Sequence, residues 1–281
     1  MRRQLAVVTF CAIVVAGVTA AVVAGQESAR TITITLGKRS VSVSGAENLP
    51  AGATRIQFHS LRREETEGVL IALRPGRTLQ DLRRAIARAR RGPGPLKAVA
   101  TIEASAAPAR GETSTTTIEL RPGATYVAGY IPDNPKNAPL KTFTVGTSTS
   151  GASRPVPDAT VGLYDYAYGM PAKLPRRGVV RFENRGERLH MAVAYPLRRG
   201  TSRAAAVQAL LRNRQRRFFA RLVNQRRASE PLGPVSGGTV NDVEVDFGRR
   251  GDWVFACFIG DGERGNPSHF TLGMVKAFTV R

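Results

Sequence analysis

Histidine and cysteine are scarce in this chain. His59, His190 and His269 are its only imidazoles, and Cys11 and Cys257 its only thiols. Cys11 falls within an apolar N-terminal run, so Cys257 has no bridging partner, and a disulfide framework is excluded. No His-Glu-x-x-His pair, phosphate-binding Gly-rich loop or Gly-x-Ser-x-Gly elbow occurs. Zinc-protease, P-loop and α/β-hydrolase chemistry are therefore set aside. Acidic residues are also few: 21 Asp+Glu face 42 Lys+Arg, for a net charge of +21. Such an excess favours anionic lipid, anionic cell-wall polymer or nucleic acid as surroundings. An arginine-rich composition gives the same figure with no partner at all.

Arg2 and Arg3 precede an uncharged apolar run from Leu5 to Gly25. A positive start followed by an apolar stretch is an export signal, and residues 1–25 are expected to be a signal peptide or an uncleaved N-terminal anchor. The chain is then exported: secreted, periplasmic or attached to the cell envelope. An odd thiol outside the cell calls for a reason. Cys257 either packs as a small apolar side chain or holds a metal as thiolate.

The rest of the chain reads as strands. Thr31 to Leu36 alternates Thr with Ile or Leu, and Ser40 to Ser44, Arg55 to Phe58 and Val69 to Leu73 are short apolar runs between turn residues. Thr78 and Asp81 form a capping pair for a helix bearing Leu79, Leu82, Ile86 and Ala89 on one face, ended by Gly92-Pro93-Gly94-Pro95. Ser114 to Leu120, Thr125 to Ile131 and Lys141 to Val145 complete a first half. A Ser/Thr/Gly/Pro-rich linker follows at residues 146–157.

The second half echoes the first. Leu174-Pro175, Gly178 and Phe182 repeat Leu49-Pro50, Gly52 and Phe58, and Lys276-Ala277-Phe278-Thr279-Val280 repeats the close of the first half. The offset grows from about 124 to about 135 residues, so the second copy carries insertions. The expected fold is all-β: two tandem Greek-key β-sandwich domains, each with an inserted α-helix, spanning residues 31–145 and 158–281. The alternating acids Asp242, Glu244 and Asp246 are expected to be the solvated face of a strand.

Residues 201–228 are expected to form an arginine-rich helix, with Val207, Leu211, Phe218 and Leu222 as its apolar stripe. Its arginines are either an ordinary outer face or a docking face for an anionic membrane, cell-wall phosphate or an acidic redox partner. Nucleic acid is not expected, because no aromatic stacking pattern accompanies them.

Two imidazoles, a thiolate and a thioether (His190, His269, Cys257 and Met274) are the donor set of a mononuclear blue-copper site. Taken singly, each residue has an ordinary place in a core. The order in which they occur gives the second half a resemblance to the cupredoxins, the plastocyanin-like copper fold. In that family the first His follows an Asn-x-Gly turn after a strand, as Asn184, Gly186 and His190 do. The Cys, second His and Met lie near the C-terminus between the last two strands, as Cys257, His269 and Gly273-Met274 do. The resemblance is to exported bacterial tandem cupredoxin-like proteins. It implies one type 1 copper ion, held by His190, Cys257, His269 and Met274, for electron transfer or copper handling with a redox partner protein.

Two features depart from that pattern. Residues 258–268 make a longer Cys-to-His loop than the better-known members have. The first half has lost the donors: Gly129 or Tyr130 stands where Cys257 would be, Thr66 to Val69 where His190 would be, and no Met lies near Lys141. At most one site is expected. Paired His-x-His motifs of a multicopper oxidase are absent and a copper nitrite reductase needs more histidines, so the chain is expected not to be an enzyme. The alternative function is a metal-free cell-envelope interaction or scaffold protein that uses the basic helix.

Overall fold

The computed structural model describes residues 29–64, 66–88, 94–130, 138–212, 216–262 and 266–281. The expected signal or anchor segment 1–25, with Cys11, lies outside them, as do Ala89, Ile131 and Arg214. Among the described residues no helix is long and apolar enough to cross a membrane.

The first half supplies β1 (Arg30–Leu36), β2 (Val41–Ser44), β3 (Gly52–Ser60), β4 (Gly68–Leu73), β5 (Ala100–Ala106), β6 (Thr113–Leu120), β7 (Thr125–Tyr130) and β8 (Leu140–Thr144). The second supplies β9 (Ala159–Tyr164), β10 (Ala167–Gly169), β11 (Lys173–Leu174), β12 (Arg177–Asn184), β13 (His190–Pro196), β14 (Ser229–Val235), β15 (Val240–Asp246), β16 (Gly251–Ala256) and β17 (Val275–Val280). The chain is mostly β, as its alternation predicts. In β1 the residues Ile32, Ile34 and Leu36 are buried while Thr33 and Thr35 are not. Each such buried side chain contributes roughly 1.5–3 kcal/mol.

One eight-stranded sheet joins the halves in the order β2-β1-β3-β6-β15-β12-β9-β10. Read from its two ends, β2-β1-β3-β6 and β10-β9-β12-β15 occupy matching places. The opposing sheets match too: β8-β7-β4-β5 in the first half and β17-β16-β13-β14 in the second, with β11 added outside β17. Each half has its own core, around Ile34, Phe58 and Tyr126 in the first and around Phe182, Trp253 and Phe255 in the second. The seam is the β6–β15 pairing, Thr117 opposite Asp242 and Thr116 opposite Val243. A second line of contact runs from β5 to β14, where the Ile102 N–H donates to Ser236 Oγ at 2.9 Å and Ser105 Oγ–H to the Pro234 carbonyl at 2.8 Å.

Helices occupy matching places as well. Between β4 and β5 lie α1 (Leu79–Arg88) and α2 (Gly94–Lys97); between β13 and β14 lie α3 (Arg203–Leu211) and α4 (Arg216–Leu222). The capping pair forms: the Thr78 N–H donates to Asp81 Oδ2 at 2.9 Å and the Asp81 N–H to Thr78 Oγ1 at 3.2 Å. α1 ends by Arg88, before the Gly92-Pro93-Gly94-Pro95 stretch; Gly92-Pro93 lies outside the described residues, and Gly94-Pro95 opens the separate short α2.

The single helix expected over 201–228 is corrected to α3, α4 and a 3-10 turn at Gln225–Arg227. The chain must double back here, because Leu197 and Val223 pair across the two ends of the segment. The buried residues of α3 are Ala206, Ala209 and Leu210, and Val207 and Leu211 are only half-buried, so the expected stripe is rotated.

The acidic trio is corrected in one member. Glu244 and Asp246 are exposed, but Asp242 is buried where β15 meets β6. Its carboxylate accepts from Arg154 Nε at 2.7 Å and Arg181 Nε at 2.6 Å. Arg154 belongs to the segment 146–157, which is thereby pinned across the seam.

Candidate metal centre

His190 opens β13, Cys257 follows β16, and His269 and Met274 lie in the turn before β17. The structure brings the first three together. His190 Nδ1 lies 3.2 Å from His269 Nδ1, and Cys257 Sγ lies 3.5 Å from His269 Nδ1. All three donor atoms fall within 4.8 Å of one another and all three residues are buried. Met274 is buried in the same core cluster as Cys257. Its N–H donates to the His269 carbonyl at 2.9 Å, and its carbonyl accepts from the Cys257 N–H at 3.2 Å.

The two ends of the 258–268 segment are hydrogen-bonded to each other. The His269 N–H donates to the Ile259 carbonyl at 2.8 Å and the Phe270 N–H to the Cys257 carbonyl at 2.9 Å. Gly260 pairs with Ser268 just beyond. These bonds fix His269 beside Cys257 whatever the chain does at its tip, where residues 263–265 lie outside the described ones.

The Asn-x-Gly turn also has a geometric task. Asn184 Nδ2–H donates to the carbonyls of Arg188 and Val235 at 2.9 and 3.0 Å, and its Oδ1 accepts from the Gly186 N–H at 3.1 Å. Gly186 leaves room for Asp165, whose Oδ1 lies 3.0 Å from His190 Nε2. The backbone N–H groups of Glu187 and Arg188 point at the same oxygen.

His269 has a counterpart in Asp261, whose Oδ1 lies 3.8 Å from Nε2. Asp261 is buried and is held by Arg188 at 2.6 Å and by a short hydrogen bond from the Tyr166 hydroxyl. Tyr166 also sets its ring edge-on to His269, with centroids 5.3 Å apart. Asp165 and Tyr166 form the turn between β9 and β10, so one turn supports both imidazoles. Tyr166 has a φ of 67°, a left-handed conformation that costs a non-glycine residue roughly 1–3 kcal/mol. Sequence reasoning missed Asp165, Tyr166, Arg188 and Asp261; the only signal was an Asp within two residues of a Gly or Tyr in each loop.

The electrostatics follow from this shell. The Asp165 carboxylate draws the His190 proton to Nε2 and leaves its Nδ1 lone pair facing His269 and the thiol, while Asp261 lies near the His269 ring as a charge, beyond hydrogen-bond reach. Burial lowers the His190 pKa, against the pull of Asp165. Burial, and then the charge of His190, hold His269 down to about 4, so it is neutral near pH 7. Burial pushes the Cys257 thiol up to about 11, against N–H groups from Met191 and Ile259. A thiolate there forms near neutral pH only beside a cation. Two neutral imidazole lone pairs and a displaceable thiol proton at one buried point fit a soft or borderline metal ion.

A cavity of about 380 Å³ reaches His269 from outside, lined by Arg74, Lys97 and Thr101 of the first half and by Asp165, Arg188 and Asp261 of the second. The first half therefore roofs the centre. It holds no comparable donor group among the described residues. At the place matching Cys257, Tyr130 is covered by the Arg62 guanidinium 4.4 Å from its ring, with Arg62 Nη1 donating to the phenol oxygen at 2.6 Å.

No family model and no curated protein matches this chain. Solved structures similar to parts of it include auracyanin B, at 22% identity over 46% of this chain and 93% of that one, with a TM-score of 0.26. A multicopper oxidase is 13% identical over 89% of this chain and 88% of that one, with a TM-score of 0.25. A copper nitrite reductase from Nitrosomonas europaea is 10% identical over 90% and 94%, with a TM-score of 0.25. The expectation that the chain is not an enzyme is corrected here: an oxidase and a reductase stand among these similar structures, and the exclusion of catalysis is withdrawn.

Proposed function

We propose that this chain is an exported, cupredoxin-like copper protein whose C-terminal half binds one type 1 copper ion through His190, Cys257, His269 and Met274. The convergence of two imidazole Nδ1 atoms and a thiol, each imidazole backed by a carboxylate, carries this reading. On this reading residues 31–145 and 158–281 are tandem Greek-key sandwiches, and the first is a relic whose present work is to cover the second. The ion would supply one-electron chemistry in a site that suits both oxidation states. The chain's own part is to keep water from the donors, fix the His190 tautomer through Asp165, set a carboxylate charge near His269 through Asp261, and hold Met274 by its backbone to His269 and Cys257. Electron transfer with a redox partner protein, or copper handling, is the role.

Copper(II) titration of the purified protein, followed by visible absorption and electron paramagnetic resonance, tests it. An intense thiolate-to-copper band saturating at one equivalent, with narrow hyperfine splitting, is expected. A colourless protein without stoichiometric binding overturns it.

One observation favours a second role for the surface. Arg198, Arg199, Arg203, Arg212, Arg221, Arg226 and Arg227 are exposed, and none forms an ion pair with an acidic residue among the described ones. Docking on an anionic membrane or cell-wall surface would use them. Arg→Glu changes at Arg199, Arg212 and Arg221 should then release the protein from isolated envelopes; unchanged association would make the charge compositional.

A further inference from the structure

A second cavity, of about 910 Å³, lies behind the metal donors. Strand alternation places it there: Met191, Val193 and Tyr195 of β13 line it, and side chains one residue apart point to opposite faces of a strand. Phe258 and Phe270, the residues after Cys257 and His269, line it too, and Phe219 of α4 closes one side. The rings form a connected floor. Centroids lie 5.1 Å apart for Phe258 and Phe270, 5.9 Å for Tyr195 and Phe258, and 5.3 Å for Tyr195 and Phe219.

The space is an open groove rather than an enclosed void, and its walls are polar as well as apolar. This space falls within the roughly 300–1,000 Å³ usual for small-molecule sites. Its rim has a different character from its floor. Arg63, Arg110 and Arg226 stand there, all exposed. None of the three forms an ion pair or side-chain hydrogen bond among the described residues. Glu230 is the one carboxylate on the wall, so guanidinium groups are in excess. An apolar, aromatic floor beneath unpaired arginines is complementary to a molecule with an apolar body and an anionic head.

We propose that this cavity binds a free amphipathic carboxylate of the fatty-acid class. Its chain lies along Tyr195, Phe219 and Phe258, and its head group meets Arg63, Arg110 and Arg226. The site needs no metal, so it stands or falls separately from the copper reading.

Calorimetric titration of the purified, metal-free full chain with decanoate tests this, beside decanol and beside vesicles of phosphatidylglycerol. Saturable one-to-one binding of decanoate is expected, at least about tenfold tighter than decanol, since one charge-assisted contact is worth about a factor of ten. The surface variant R110E/R226E should weaken decanoate by about tenfold or more and leave decanol and the melting temperature unchanged. Val193→Trp, which fills the floor, should abolish binding of both. Equal affinity for decanoate and decanol, indifference to R110E/R226E, or binding to the vesicles without any saturable decanoate site would overturn the proposal. The last of these would make the face a membrane dock.

Discussion

A Cβ on Gly186 would sit 2.3 Å from Asp165 Oδ1 and 2.9 Å from His190 Nε2. The absence of a side chain at Gly186 is what lets the carboxylate reach the imidazole. Gly186→Ala must push Asp165 away and free the His190 ring to turn. Copper affinity should fall by about 10–100-fold, the usual cost of losing a ligand's supporting partner. Asp165→Asn should fall less, because an amide oxygen still accepts from Nε2. Competition against a chelator of known affinity measures both, and equal affinity in Gly186→Ala and the unaltered protein would refute the role.

Cys257 lies just after β16 with no exposure. Cys257→Ser changes one atom and should leave the melting temperature within a few degrees, since the new hydroxyl can bond to His269 Nδ1 in place of the thiol. The thiolate-to-copper absorption should vanish completely. Retention of that band in the serine variant would place the chromophore elsewhere.

Glu67 is half-buried just before β4, and its Oε1 is buried beside Gly233 of β14 with no hydrogen-bond partner among the described residues. Burial raises its pKa from 4.5 to about 7, against a hydrogen-bond contact with Ser105. The folded state therefore binds its proton more tightly than the unfolded one. Stability from this group is fully present below about pH 4.5 and is lost as the pH rises towards 7, by about 3 kcal/mol at most. Glu67→Gln should flatten that slope. Urea unfolding at pH 4.5 and at pH 8 reads it, and an unchanged difference between the two pH values in the glutamine variant would count against it.

Asp242 joins three parts of the chain, through Arg154 of the linking segment and Arg181 of β12. Asp242→Ala leaves both guanidinium groups facing a buried gap and should cost roughly 3–5 kcal/mol. Arg154→Ala should cost less, because Arg181 still pairs with the carboxylate. Urea denaturation midpoints rank the two variants, and a surface-like loss below about 1 kcal/mol for Asp242→Ala would contradict the assignment.

Much of this architecture can be read from the sequence, and the limits have physical causes. The Thr-Ile alternation of β1 and the Thr78–Asp81 cap are local signals, and local hydrogen bonds and burial realise them. The echo between Gly52 and Gly178 is visible because both positions need a left-handed backbone, with φ of 116° and 146°. His190, Cys257 and His269 were nameable from donor type and order. Their supporting residues were not: Asp165 matters only because the chain folds it behind a ring 25 residues away, and Asp261 only because the Cys-to-His segment turns it back towards His269. Asp242 misled for the same reason. Alternation places it on the outer face of β15, but Arg154 of the linking segment and Arg181 of β12 cover it there. The doubling back at Leu197 and Val223 is likewise a tertiary contact, and it overrides the helical periodicity of the arginine-rich segment.

The seam between β6 and β15 bears on how the molecule is made. Residues up to Leu120 leave the ribosome with β6 as the outermost strand of a four-stranded sheet, and its covering strand lies more than a hundred residues later. Until β15 arrives, Thr115, Thr116 and Thr117, all buried in the finished protein, present unpaired backbone to solvent. An open edge of this kind is a template for joining another chain. A nascent first half is thus the species most exposed to self-association. Its safety rests on completing the second half, or on a chaperone that shields the edge until then.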